Sequence, residues 1–360
     1  MNGRDADTKV LIALQRTEKL TPRRRELLLG ESPLPSGLLV AEMKSKLSAA
    51  LGESVNDFYR YLDESEKFME DLSRKGIGWV TRADDEYPAL LRETEGCPSA
   101  LFVKGNVAAM DTFSLAIVGT RRPTRYGAKL ADEFARAFAN AGITVVSGFA
   151  RGVDSVAHRA AVECGAPTVA VLGCGVDVCY PAENRELYSS VLATGGLFVS
   201  EYAPGTPPLP YHFPERNRII SGLSRGVLLT EAAEKSGSLI TANTAVEQGR
   251  DLFVVPGNVY SPESRGTNEL LRSMPHALTL SPEDVFAHYR IRPEGEKEEE
   301  QVQFDITETL VLDSLHDGEK HFEELLADTG LGAAELSTVL VNLELAGALV
   351  DTGGNHYALC

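Results

Sequence analysis

Cysteine is scarce in this 360-residue chain and poorly arranged for cross-linking: there are five, an odd number, and no CxxC pair. Three of the five (Cys97, Cys164, Cys174, Cys179, Cys360) lie in or beside apolar stretches, where a reduced thiol packs as a small hydrophobe. A disulfide framework and a thiolate zinc site are excluded, and a cytoplasmic protein is expected. Long apolar runs are also missing. None approaches the ~18–20 residues that crossing a bilayer requires, and the start, MNGRDADTKV, is too polar for a secretory signal. No membrane contact is expected. His212 and His276 lack metal-ligand spacing. The turn IVGTRRPTRYG (117–127) lacks the GxGxxG spacing of a dinucleotide site, and GxxxxGK[ST] is absent. No cofactor or metal is therefore expected.

Positive charge is what the end of the chain lacks. Residues 291–360 hold three basic side chains (Arg292, Lys297, Lys320) against 16 acidic ones, and so carry most of the overall −17. Residues 86–290 hold 18 basic and 21 acidic groups. A local basic groove is compatible with that balance, although the total charge at first argues against a phosphate-bearing ligand.

What is present is ordinary for a globular protein: 43% hydrophobic and 24% charged residues. Residues 1–85 read as a helical domain, with apolar residues at helical spacing over 9–15, 42–51 and 55–75 and a helix start at Thr21-Pro22. Arg23-Arg24-Arg25 reads as a solvated helix face. Over 86–290, short continuous apolar runs at 113–118, 144–147, 168–172, 197–200, 226–230 and 252–255 alternate with helical stretches, and a last short strand is expected near 277–280. Continuous apolar strands imply helices on both faces. The alternation predicts a Rossmann-like, doubly wound, mainly parallel α/β sheet. An acidic linker, 291–304, then leads to a winged-helix domain over 305–360, with helices at 306–315, 322–328 and 333–346 and a hairpin around Gly353-Gly354.

Ligands of such a sheet bind beyond the carboxyl ends of the strands. Those ends read Gly119-Thr120-Arg121-Arg122, Ser147-Gly148, Gly173-Cys174-Gly175 and Thr230-Glu231, the last followed by Lys235-Ser236-Gly237-Ser238 at a helix start. Glycine and serine there let a phosphate approach the open amides of the helix, with Lys235 adding a point charge. In FPERNRII (213–220), Arg216 and Arg218 flank Asn217; guanidinium forks suit phosphate, and pairing with Glu201 or Glu231 is the structural alternative. Asp154 and His158, four residues apart, read as a structural pair. No activated nucleophile assembles, so no enzyme is expected.

Several ordered stretches carry a resemblance: YPALLRETEGCPSALFVKGN (87–106), IVGTRRPTRYG (117–127), VSGFARGVDSVAHRAAVECGAPTVAVLGCGVDVCYPAEN (146–184) and FPERNRIISGLSRGVLLTEAAEKSGSLITANTAVEQGRDLFVVPG (213–257). In these the chain resembles the DNA-processing protein A (DprA/Smf) family. The resemblance implies a homodimeric single-stranded DNA-binding mediator that protects incoming DNA and loads a RecA-type recombinase in natural transformation. It carries phosphate-gripping roles to Arg121, Arg216, Arg218, Lys235, Ser236, Gly237 and Ser238, and less individually to Gly119, Gly148, Gly173 and Asn217. Phe213 or Tyr211 would stack on bases. Two departures stand out. The first ~65 residues match the family's N-terminal domain poorly, and the expected recognition helix 333–346 has two glutamates and no basic residue, which points to protein contact or competition with DNA rather than duplex reading. The competing readings are a sensor or hydrolase of a small nucleotide-derived ligand, with Glu231 or Asp154 as base, and an adaptor working through the winged helix.

Overall fold

The computed structural model describes residues 3–17, 20–30, 35–39, 41–292, 305–316, 318–345 and 348–359. Most of the acidic linker expected over 291–304 lies outside the described residues. The chain divides into two compact units, residues 1–294 and 295–360.

The first unit opens with five helices, α1 (Gly3–Arg16), α2 (Pro22–Gly30), α3 (Ala41–Leu51), α4 (Val55–Asp63) and α5 (Ser65–Arg74). Helix α2 starts where the Thr21-Pro22 signal places it, Thr21 Oγ1 accepting from the Arg24 amide at 3.4 Å. The single helix expected over 55–75 is two, meeting at Glu64. After them come β1 (Gly78–Thr81), α6 (Ala89–Arg92) and β2 (Ala100–Gly105), then β3 (Ser114–Val118), α7 (Arg125–Asn140), β4 (Thr144–Ser147), α8 (Val153–Glu163), β5 (Thr168–Val171), α9 (Arg185–Ala193), β6 (Leu197–Ser200), α10 (His212–Gly222), β7 (Gly226–Leu229), α11 (Gly237–Glu247), β8 (Asp251–Val254), α12 (Arg265–Ser273) and α13 (Pro282–Tyr289).

These strands form one eight-stranded sheet in the order β1-β2-β6-β5-β4-β3-β7-β8. The six strands β3 to β8 are parallel, and β2 and β1 extend one edge antiparallel. Every residue of β3 is buried, because alternate side chains serve opposite faces. Leu115 and Ile117 join Phe134 and Phe138 of α7 and Ala157 and Ala160 of α8; Ala116 and Val118 join Ile219 and Ile220 of α10 and Ala242 and Ala245 of α11. The two layers of helices are thus written into one five-residue strand. The strand expected near 277–280 is reduced to a single bridge, Val254 to Leu278, after a 3-10 turn at Pro275–Ala277 whose proline supplies no amide.

Strand β1 falls within the segment read as helical, and α1 packs beside β1 and β2 in the same compact unit. The fastening is polar. Buried Gln15 donates to Glu201 O and its Oε1 accepts from Arg25 Nη1, the Ser99 amide and Ser99 Oγ. Arg25 is therefore no part of a solvated face: it is 5% exposed, and burial pulls its guanidinium down to about 10. Arg23 and Arg24 are exposed as expected.

The second unit is a winged helix: α14 (Ile306–Leu315), β9 (Lys320–His321), α15 (Phe322–Thr329), α16 (Ala333–Leu345), β10 (Leu349–Gly353) and β11 (His356–Leu359), with sheet order β10-β11-β9. Val311, Leu315, Leu325, Leu336, Leu340 and Leu343 form its core.

Candidate nucleic-acid interface

The chain winds from β3 through β4, β5 and β6 on one side, then crosses back to place β7 on the other side of β3. Beyond the carboxyl ends of β3 and β7, at this reversal, lies an open cleft of about 470 Å³. Gly119, Thr120, Arg121, Arg122, Arg216, Asn217, Ser236, Gly237 and Ser238 line it, together with Asp154, Pro210, Phe213 and Ile240. Four sequence segments drawn from residues 118 to 241 are thereby brought together. Gly148, Gly173, Arg218 and Lys235 are the expected residues that do not line it.

The β3 loop is held by packing and backbone bonds. A Cβ on Gly119 would fall 2.6 Å from Val153 Cγ2, so this glycine lets α8 approach the strand end. The Val153 amide donates to Thr120 O at 3.2 Å, and the Thr120 amide to Glu231 O at 2.8 Å. Arg121 and Arg122 project into solvent from the loop so fixed, and neither has an ion-pair partner among the described residues. The Arg121 guanidinium sits 5.3 Å from the Phe213 ring, which in turn lies 5.5 Å from Tyr180. Tyr211 is 59% exposed nearby in sequence.

The FPERNR segment forms the start of α10, and its two arginines have different fates. Arg216 is 3% exposed; Nη1 donates to Gly148 O at 2.6 Å and to Val171 O. Burial pulls it down to about 10, opposed by nearby Asp154. It lines the cleft with Nη1 committed to two strand-end carbonyls and Nε facing Asn217 Oδ1 at 3.4 Å. Gly148 belongs to this arrangement: a Cβ there would fall 2.5 Å from Arg216 Nη2 and 2.7 Å from Asp154 Oδ2. Arg218 makes a bidentate pair with Glu201, at 2.8 and 2.7 Å, with 16% and 6% side-chain exposure. It grips a carboxylate and does not line the cleft, which is the structural alternative read from the sequence. Asn217 Nδ2 donates to Gly237 O at 3.4 Å, linking α10 to the start of α11.

At that start Ser236 is the N-cap, accepting from the Ser238 amide at 3.4 Å, and the two hydroxyls lie 2.7 Å apart. Nothing lies within 4 Å of a Cβ placed on Gly237. The Ser238 and Leu239 amides donate to Ser236 Oγ and Ser236 O, which leaves the exposed Gly237 amide at the helix start for an anion. Lys235 is exposed one residue before the cap.

Asp154, read from the sequence as a partner of His158 or as a base in the small-ligand reading, lines the cleft. Burial raises its carboxyl, opposed by Arg216 and the Ala150 amide. It does not pair with His158, whose Nδ1 lies 2.8 Å from Thr168 Oγ1. Thr168 spends its own proton on Val145 O, so His158 donates from Nδ1 and is neutral; burial, then the Arg216 charge, pulls it down to about 3. The bare i, i+4 spacing carries no information about that alternative partner. His212 is likewise buried, Nδ1 donating to Gly173 O at 3.1 Å. Among the described residues no three His, Cys, Asp or Glu side chains cluster as metal ligands, and no helix is long and apolar enough to cross a membrane.

A family model described as DNA recombination-mediator protein A matches residues 78–290, and one described as DprA winged helix domain matches 296–355. Protein Smf of Escherichia coli (strain K12) is 38% identical over 288 residues, 77% of this chain and 76% of its own length. DNA processing protein DprA of Streptococcus pneumoniae is 42% identical over 206 residues, 57% and 72% of the two chains. The X-ray structure of DNA processing protein A (DprA) from Streptococcus pneumoniae superimposes with a TM-score of 0.66 at 33% identity, covering 80% of this chain and 98% of that one. DNA processing protein A from Helicobacter pylori, described for its single-stranded DNA binding mode, gives 0.54 at 31% identity over 59% and 95%. With more than half its length matched by the family model, and the winged helix matched separately, this chain belongs to the DNA recombination-mediator protein A family.

Proposed function

We propose that the cleft holds the sugar-phosphate backbone of single-stranded DNA, and that the protein protects incoming DNA and delivers it to a RecA-type recombinase during natural transformation in the cytoplasm. One observation carries this reading: the unpaired guanidinium groups of Arg121 and Arg122 and the open N-terminus of α11 converge on one cleft at the reversal of a doubly wound sheet. Contacts of that kind grip phosphate without reading sequence. Lys235 supplies charge at the rim, and Phe213, half-buried beneath Arg121, offers a ring for a base. The single-stranded DNA binding described for the Helicobacter pylori relative supports the same reading.

We assign binding and no reaction. Of the two candidate bases, Glu231 has both oxygens occupied by Thr124 donors at 2.7 Å and does not line the cleft, whereas Asp154 lines it with no activated nucleophile assigned beside it. A homodimer is supported by large apolar side chains left exposed after β8: Val259, Tyr260, Leu278 and Leu280, at 73, 88, 50 and 64%. The winged helix is assigned to protein contact, since α16 has no basic residue and exposes Glu335 and Glu344. Anisotropy of labelled oligo-dT, run beside calorimetry with mononucleotides, tests the assignment. Tight oligo-dT binding that weakens in Arg121→Ala and Lys235→Ala supports it; tight mononucleotide binding with weak oligo-dT binding supports the small-ligand reading instead.

A further inference from the structure

Glu231 lies two residues after the end of β7 and is 1% exposed. A carboxylate buried beneath a loop that is to attract phosphate is unfavourable twice over, by desolvation and by repulsion of the ligand. Its bonds explain its presence. The backbone carbonyl accepts the Thr120 amide at 2.8 Å. The carboxylate accepts the Thr124 amide through Oε2 and the Thr124 hydroxyl through Oε1, each at 2.7 Å. Thr124 is in turn the N-cap of α7, its Oγ1 accepting the Gly127 amide at 3.2 Å. A Cβ on Gly127 would fall 2.4 Å from Glu231 Oε2, so that position is left bare to admit the carboxylate.

One side chain and its own carbonyl thus fasten both ends of the five-residue loop 120–124, and Arg121 and Arg122 stand between the fastenings. The carboxylate faces the positive end of α7 and neutral donors, and has no ion-pair partner among the described residues. We propose that Glu231 is a positioning residue for nucleic-acid binding: it fixes the spread of Arg121 and Arg122 so that both meet one phosphate backbone. This rests on the single-stranded DNA reading above. Glutamine in its place can still accept the Thr124 amide through Oε1, but it turns an NH2 toward the Thr124 hydroxyl, which must then accept instead of donate, so both charge-assisted bonds holding this end of the loop are lost.

The test is a salt titration of oligo-dT affinity with the full-length chain, comparing wild type, Glu231→Gln, Arg121→Ala and the double variant, with melting midpoints measured in parallel. Loss of the fixed spread is expected to weaken binding in Glu231→Gln roughly 10- to 150-fold at low salt, the scale of one charge-assisted bond. It is also expected to flatten the slope of log K against log[salt] by about 0.7, one phosphate contact on a single strand. Arg121→Ala then removes less in the Glu231→Gln background than in wild type, because the two act as a unit. Wild-type affinity and slope in Glu231→Gln, or fully additive losses, overturn the proposal while leaving the DNA reading intact. Equal binding by wild type and Arg121→Ala overturns the DNA reading itself. If Glu231→Gln does not fold, Thr124→Val is read in its place, with Thr124→Ser expected to restore the wild-type slope; failure of that rescue overturns the proposal.

Discussion

At the scale of single residues, the arginines separate by what they touch rather than by where they stand in the sequence. Arg121 is exposed over an aromatic ring and unpaired, so Arg121→Ala is expected to weaken oligo-dT binding while leaving the melting midpoint in place. Arg218 is committed to Glu201 at low exposure. Arg218→Ala leaves a buried carboxylate uncompensated and is expected to destabilise by about 3–5 kcal/mol, seen in chemical denaturation. The glycines divide in the same way. Gly148→Ala drives a methyl group into Arg216 and Asp154 and should lower stability by about 1–3 kcal/mol; Gly237→Ala meets no protein atom, folds normally and obstructs only the cleft. His158 makes a pH prediction. Its folded pKa of about 3 lies below the ordinary 6.5, so the unfolded chain binds the extra proton between these values. Its stabilisation is complete above pH 6.5 and is lost as pH falls toward 3, by up to about 1.4 kcal/mol per pH unit within the window. Unfolding free energies of His158→Gln from pH 7 to 4 should show a correspondingly shallower acid dependence.

At the scale of elements, the N-terminus of α11 is the part of the grip made of backbone. Ser236→Ala removes the cap and should lower stability by about 1 kcal/mol, with some loss of DNA affinity because the same turn faces the cleft; paired melting and binding curves check both. The parallel strands and their helices were legible because strands buried on both faces are continuous apolar runs, and β4 and β6 fall on the residues so read. Strands β1 and β2 were not, since they precede the alternation and β1 is a four-residue edge strand with Gly78 and Trp79 half-buried. Helix α13 was missed although Ser281-Pro282-Glu283-Asp284 forms a capping box that the sequence displays. Of the site, the strand-end loops and the α11 cradle were readable from small residues and helix starts. The commitments of Arg216 and Arg25 were not, because each depends on an acceptor supplied from elsewhere in the fold, Gly148 O and Gln15, whereas Glu201 was one of the partners the sequence offered for Arg218. Glu231 was visible as a strand-end acid, but nothing in its neighbourhood identifies Thr124, 107 positions away, as its partner.

At the scale of the molecule, acidity and phosphate binding are reconciled by segregation. The cleft belongs to the unit of residues 1–294, whereas residues 291–360 hold 16 acidic side chains against three basic ones. Removing residues 295–360 should therefore leave oligo-dT binding unchanged or tighter, as gel shift would show; loss of binding would return the main role to the winged helix. The central claim is that backbone phosphates are held by Arg121, Arg122 and Lys235 at one cleft. Its most direct test is the oligo-dT association constant measured from low to moderate salt for wild type and Arg121→Ala. Three contacts per protomer predict a log–log slope of about −2 that becomes shallower by about 0.7 in the variant; an association constant independent of salt, or the same slope in both proteins, would contradict it.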